Sequence, residues 1–161
     1  MNDISELERA FSQLLRDESE RTAQLLDLLR QEYQALQSSS PESLEQLTVQ
    51  KQHTIKALDG CVAAHNRFLL QQELTPDRQG TAAFLACLPP ASRISVQWIA
   101  FEATLEDCRK QNEINGSILA HSQRQIRYAL DLLRGVTAGQ KTYGPLGESR
   151  SNHLSNTLGK A

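Results

Sequence analysis

The fold is decided by residues 94–133, ISVQWIAFEATLEDCRKQNEINGSILAHSQRQIRYALDLL, in which apolar side chains recur every three or four residues. This spacing places them on one face of an α-helix. Because the steps of four and three alternate, they also predict a left-handed supercoiled contact with other helices over about 60 Å. Arg134 and Gly135 are typical of a helix C-terminus, so we expect the helix to end there.

Two further long amphipathic helices precede this one, because apolar residues recur at the same spacing over residues 4–36 and 44–69. Glu18 and Thr22 are polar gaps in the first pattern. That pattern stops in the serines before Pro41, since the residue before a proline disfavours the helical conformation. Ser40 and Pro41 then suit the N-cap and the first position of the next helix.

A short helix is predicted between the second and third long helices. Residues 75–90 form an insert bounded by proline and glycine, and residues 81–88, between Gly80 and Pro89, could form two helical turns across one end of the bundle. The predicted fold class is therefore all-α, an antiparallel bundle of three long helices with a short connecting helix. We assign residues 1–135 to this bundle.

Residues 136–161 are predicted to form a flexible C-terminal tail. From Gly135 onward the chain holds five of its eight glycines and no bulky apolar run. Such a segment buries too little surface to offset the entropy of ordering it, so we expect it to be disordered in the free protein.

Composition limits the classes of partner. The net charge is -2 at pH 7, which gives no electrostatic reason to expect nucleic acid or an anionic membrane surface. No apolar run approaches the roughly 20 residues of a membrane span, and the acidic start MNDISELERAF is not typical of a signal peptide. We therefore expect a cytoplasmic location and no direct insertion into a membrane.

The cysteines indicate neither a disulfide framework nor a zinc site, because Cys61, Cys87 and Cys108 are odd in number, far apart and without a C-x-x-C pair. We interpret them as small buried hydrophobic residues and expect no metal and no cofactor. No phosphate-binding loop, nucleophile elbow or H-E-x-x-H motif is present, so we do not expect an enzyme.

Several positions of the third helix are polar where the repeat calls for apolar residues, among them Asn112, Asn115 and Ser122, and Gly116 adds a mid-helix glycine. One interpretation is control of helix register, with a close helix crossing at Gly116. The alternative is that a second apolar stripe faces a partner, since a helix apolar on two sides must be buried on two sides. That second stripe comprises Ile114, Ile118, Tyr128 and Leu132.

The tail carries a possible recognition element. Leu146, Leu154 and Leu158 lie at multiples of four and would share one face if the segment became helical in a partner's groove. Alternatively, three leucines fall on this spacing by chance. Tyr143, followed by Gly144, is the only aromatic residue in the segment and suits an anchor of large contact area.

The sequence also suggests two alternative functions. The segment HTIKA, residues 53–57, resembles the H-x-x-K-[GA] signature of histidine phosphotransfer bundles, although Leu58 replaces the usual small hydroxyl residue. A passive coiled-coil adaptor that dimerises through the long third helix is the other alternative.

The residues 110–119, KQNEINGSIL, resemble the N-x-x-N-G-x-L-L type stretch of the FlgN family of flagellar export chaperones, and residues 142–147, TYGPLG, resemble its Y-G-x-x-G element. The overall length and the long N-terminal helix pair also agree. The insert over residues 75–90 looks longer than the family requires.

This resemblance implies a non-catalytic protein that binds the hook-associated proteins FlgK and FlgL, prevents their premature assembly and delivers them to the flagellar type III export apparatus. It implies that Tyr143 and Gly144 dock on the export gate protein FlhA. It also implies that the end of the third helix and the tail bind the substrate's terminal helix. The expected substrate-binding residues are Asn112, Asn115, Gly116, Ile118, Leu119, Ile126, Leu130, Leu133, Leu146, Leu154 and Leu158.

Overall fold

The computed structural model describes residues 4–133, 142–143 and 149–150, and the side chains of residues 4–130. Four helices account for nearly all of them: α1 (Ile4–Ser38), α2 (Pro41–Gln71), α3 (Arg78–Ala86) and α4 (Ile94–Leu133). The prediction of an all-α fold is confirmed for these helices, three long and one short, whereas two short strands near the C-terminus were not predicted. The chain divides into two units, Met1–Ile118 and Leu119–Ala161.

Within the first unit the long helices alternate in direction. Glu18 of α1 contacts His65 of α2, whereas Glu32, further along α1, contacts Lys51, which comes earlier in α2. The helices α1 and α2 are therefore antiparallel. The thiol of Cys108 in α4 donates to the carbonyl of Thr22 in α1 at 3.5 Å, and Asn115 bonds to α1 seven residues further on, so α4 runs parallel to α1.

The junction between α1 and α2 is a tight turn. Ser39 adopts a left-handed backbone conformation with φ of 52°, and the next amide, that of Ser40, donates back to the carbonyl of Ala35 at 3.2 Å. This bond satisfies one carbonyl at the helix end. Ser40 is the N-cap residue of α2 and Pro41 its first residue, as predicted, but the Ser40 hydroxyl donates to the Ser43 hydroxyl and does not cap the backbone.

The short helix α3 starts earlier than its predicted first residue, Thr81. Asp77 is the N-cap, and its carboxylate accepts a hydrogen bond of 2.8 Å from the Gly80 amide. Gly80 is the third residue of the helix and not its boundary. A side chain is excluded there because a Cβ would lie 1.9 Å from the carbonyl oxygen of Thr75. The prediction placed the start of the helix three residues late because it took glycine as the boundary of the segment.

The main apolar core of the first unit lies at the end of the bundle covered by α3. It combines residues from all four helices and the loop after α3, namely Phe11, Leu15, Phe68, Leu69, Phe84, Leu88, Ile94 and Phe101. The Phe11 ring lies at its centre and contacts the rings of Phe68, Phe84 and Trp98. A smaller cluster of Leu26, Leu29 and Cys108 joins α1 to α4 further along.

In the second unit, β1 (Thr142–Tyr143) pairs antiparallel with β2 (Ser149–Arg150), with Thr142 opposite Arg150. These four residues are the part of the tail that the structure describes. The flexibility of residues 136–161, and their separation from a 1–135 bundle, stay predictions. None of the described helices combines the length and the apolar character that a membrane crossing requires.

Candidate functional site

Asn115 fills a polar gap in the third helix pattern by bonding to α1. Its side chain, only 4% exposed, donates to the carbonyl of Leu29 and to Glu32 Oε2, both at 2.8 Å. Gln111 donates to its amide oxygen at 3.1 Å. Glu32 in turn accepts from Lys51 Nζ at 2.7 Å, so a single network joins α4, α1 and α2. A buried polar side chain with paired hydrogen-bonding groups fixes the register of the helices it joins.

The neighbours of Asn115 on α4 are more accessible. Asn112, Gly116 and Ile114 are exposed, and Ile118 is partly buried. The expectation of a close helix crossing at Gly116 is wrong, because a Cβ on this residue would meet no described atom within 4 Å. Of the second stripe, Ile114 and Tyr128 are exposed, so no described residue covers them.

From Leu119 onward α4 presents apolar residues without a described covering. Leu119, Ile126 and Leu130 are 48, 61 and 44% exposed. Leu119 and Ile126 continue the seven-residue pattern of the helix, and Leu130 lies four residues beyond Ile126 on the same side. We call these three residues the terminal stripe. All other residues from 119 to 130 are exposed except the partly buried Ser122. No described side chain of this unit covers the terminal stripe, which makes it a candidate surface for a partner.

The remaining predicted site residues belong to the least described part of the chain. Leu133 is the last residue of α4, and its side chain is outside the described residues. Tyr143 lies in β1, where only the backbone is described. Gly144, Leu146, Leu154 and Leu158 all fall outside the described residues.

A buried polar cluster beside the main apolar core of the first unit was missed from the sequence. His65 Nδ1 lies 3.0 Å from both carboxylate oxygens of Glu18, and Nε2 lies 3.1 Å from Thr81 Oγ1. Its ring also contacts Phe11 and Trp98 edge-on. His65 thus joins α2 to the other three helices. The signal was present, since Glu18 and His65 are both polar interruptions of apolar stripes.

This cluster lines a groove of about 330 Å³ between α2 and α4. The apolar walls are formed by Leu58 and Val62 on α2 and by Trp98 and Leu105 on α4. At one end, exposed Arg78 of α3 pairs with Glu102 of α4 at 2.9 Å. The groove has the volume for a few apolar side chains.

The three cysteines do not share one environment. Cys108 is buried, and burial raises the pKa of its thiol. Cys61 is partly buried, and burial followed by the charge of Glu18 raises its pKa. The interpretation of all three as buried is wrong for Cys87, which is exposed. Although Cys61 and His65 are four residues apart on α2, the described residues contain no group of three or more metal ligands.

Comparison with known proteins gives one match. Residues 1–151 match the family described as FlgN protein, which covers most of the chain. No curated protein and no solved structure matches it. The match spans α1 to α4 and the segment around Tyr143, so it includes both stretches on which the resemblance was based. FlgN is a family of chaperones and not of enzymes, and the chain belongs to this family of flagellar export chaperones.

Proposed function

We propose that this protein is a cytoplasmic chaperone that binds the terminal helices of the hook-associated proteins FlgK and FlgL. It keeps these helices from premature assembly and delivers them to the flagellar type III export apparatus. The observation that carries the proposal is the terminal stripe, three exposed apolar residues on a helix that continues beyond the first unit's last residue, Ile118.

The terminal stripe has the form expected of a helix-binding surface. Apolar anchors at positions i, i+7 and i+11 lie on one side of a helix, and an amphipathic partner can pack against them lengthwise. Burying one such side chain fully contributes about 1.5–3 kcal/mol, and these residues are already half covered by their own helix. The surface therefore suits binding that is selective yet reversible, as delivery requires.

The predicted substrate residues divide into two roles. We propose that the exposed Asn112, Gly116 and terminal stripe contact the substrate directly, together with Ile118, Leu133 and the tail leucines 146, 154 and 158. Asn115 does not contact the substrate in this proposal. Its hydrogen bonds to Leu29 and Glu32 instead hold α4 in register with α1 and so position the substrate-binding surface.

Export-gate docking is assigned to the tail. We propose that Tyr143 and Gly144 contact FlhA, since an aromatic side chain beside a glycine offers a large contact area at low entropic cost. Tyr143→Ala then weakens binding to FlhA and leaves FlgK binding intact. Unchanged affinity for FlhA in a direct binding measurement contradicts this assignment.

Co-purification with FlgK and FlgL tests the chaperone proposal. The double variant Ile126→Ser and Leu130→Ser is expected to lose affinity by roughly tenfold or more, because truncated interface anchors cost over about 1 kcal/mol each. Val49→Ser with Val96→Ser is the matched control, since both valines are exposed apolar residues on other helix surfaces. Equal loss in both variants, or no binding by the parent protein, overturns the proposal.

A further inference from the structure

The two units carry net charges of opposite sign, although the net charge of the whole chain is small. Residues 1–118 contain eleven Lys and Arg against seventeen Asp and Glu, a net charge of -6. Residues 119–161 contain six Lys and Arg against Asp131 and Glu148, a net charge of +4. The unit that carries the terminal stripe is therefore basic although the protein as a whole is acidic.

The same division appears along α4. Before Glu113 its cations are paired: Arg109 bonds to Glu106 and Glu113, and Lys110 lies 3.7 Å from Glu106. After Glu113 the next carboxylate in the sequence is Asp131, so residues 114–130 hold two arginines and no acidic residue.

Arg124 and Arg127 are both exposed, and neither has a hydrogen-bond or ion-pair partner among the described side chains. Arg127 is three residues before Leu130 and three after Arg124, and residues three apart are neighbours on a helix surface. At about 100° per residue, Arg127 lies roughly 60° round the helix from Leu130, at one edge of the terminal stripe, and Arg124 lies about 60° further round on the same side. Two like charges at this spacing repel each other, so the pair does not stabilise the helix in the free protein.

We propose that the terminal stripe selects an amphipathic partner helix whose apolar face is flanked by Asp or Glu side chains. The inference builds on the proposed function in taking the terminal stripe as the docking surface. Opposite charge beside an apolar contact accelerates association and fixes orientation, whereas a Lys-flanked helix places like charges together and is rejected. Arg124 and Arg127 are then determinants of specificity, and the terminal stripe supplies most of the contact area.

Two designed peptides of about 20 residues, roughly 30 Å long as helices, test this without a natural substrate. They share one leucine stripe and differ only in carrying Glu or Lys at the flanking positions. Binding to the full-length protein is measured by fluorescence anisotropy at low and high ionic strength. We expect the Glu-flanked peptide to bind on the order of tenfold tighter, with a preference that weakens in high salt.

The charge-reversed variant Arg124→Glu with Arg127→Glu is expected to prefer the Lys-flanked peptide. Lys56→Glu with Arg67→Glu changes net charge equally at exposed α2 positions and keeps the original preference. Equal binding of the two peptides, or a reversal in the α2 control as well, overturns the inference.

Binding to anionic phospholipid vesicles is measured as well. If the protein binds the vesicles through Arg124 and Arg127 but shows no preference between the two peptides, the inference is also overturned. Loss of FlgK and FlgL binding would instead count against the proposed function, so the two can fail separately.

Discussion

His65 Nδ1 lies 3.0 Å from each carboxylate oxygen of Glu18, and both side chains are almost fully buried. The contact joins α2 to α1 within the aromatic part of the core, and Thr81 on the far side of the imidazole joins α3 to the same point. A polar pair in such a place is costly to disrupt from one side only, since the remaining partner stays buried without its hydrogen bonds.

Glu18→Leu is therefore expected to lower the free energy of unfolding by about 3 kcal/mol, because it leaves the buried Nδ1 of His65 without its carboxylate partner. The double variant Glu18→Leu with His65→Leu should recover most of that loss, since apolar replacement of both partners is often close to neutral. Urea denaturation of both variants measures this, with exposed Glu20→Leu as the control. If the double variant loses as much stability as the two single changes together, the pair is not the source of the effect.

Asn115→Ala is expected to lower the free energy of unfolding by about 1–3 kcal/mol, because the hydrogen bonds to Leu29 and Glu32 are lost in a buried place. Asn112→Ala, three residues away and exposed, is the matched control and should change stability by less than about 0.5 kcal/mol. Thermal unfolding followed by circular dichroism compares them. Equal effects would mean that Asn115 does not hold α4 against α1.

Gly116→Ala should raise stability by about 0.5–1 kcal/mol, since glycine is a poor helix former and a Cβ there meets no described atom. Gly80→Ala should do the opposite, because its Cβ would collide with the Thr75 carbonyl. Chemical denaturation of both variants gives the two signs. A destabilising Gly116→Ala would show that the helix needs the close approach which the structure lacks.

The loss of folding stability at acidic pH should depend on Asp77. The Gly80 amide, followed by the Thr75 hydroxyl, holds the pKa of this carboxyl below its ordinary value of 3.8. A lowered pKa means that the stabilisation is present above the unfolded-state pKa and is lost as the pH falls through the folded-state value.

Asp77→Asn keeps the N-cap but removes the ionisation, so its unfolding midpoint should fall less steeply than that of the parent below about pH 4. Midpoints measured over that range, with Asp59→Asn as an exposed control, check the slope. Parallel curves for the parent protein and Asp77→Asn would contradict this role for the cap.

The sequence predicted the long helices well because each has a sustained apolar period and a clear stop. Ser40 and Pro41 indicated where α2 begins. The apolar pattern of α4 ends at Leu133, which is also the last residue of that helix. The start of α3 was misplaced because a glycine in the sequence, here Gly80, commonly marks the boundary of a helix. Only the tertiary structure shows that the Thr75 carbonyl occupies the space of its missing side chain.

The polar interior was less accessible to sequence reasoning. Glu18 stood out as a polar gap in its stripe, but pairing it with His65 requires the register between α1 and α2, which periodicity within each helix does not give. The same holds for Asn115 and Glu32. Exposure of Cys87 also depends on where the chain turns after α3, whereas residue type alone favours burial.

Amide hydrogen exchange of the full-length protein, with and without FlgK, tests the central claim most directly. We predict that substrate slows exchange in α4 from Leu119 to Leu130. We further predict that Ile126→Ser with Leu130→Ser abolishes this slowing, whereas Val49→Ser with Val96→Ser does not. Slowing confined to the first unit, with residues 119–130 unchanged by substrate, would contradict the central claim.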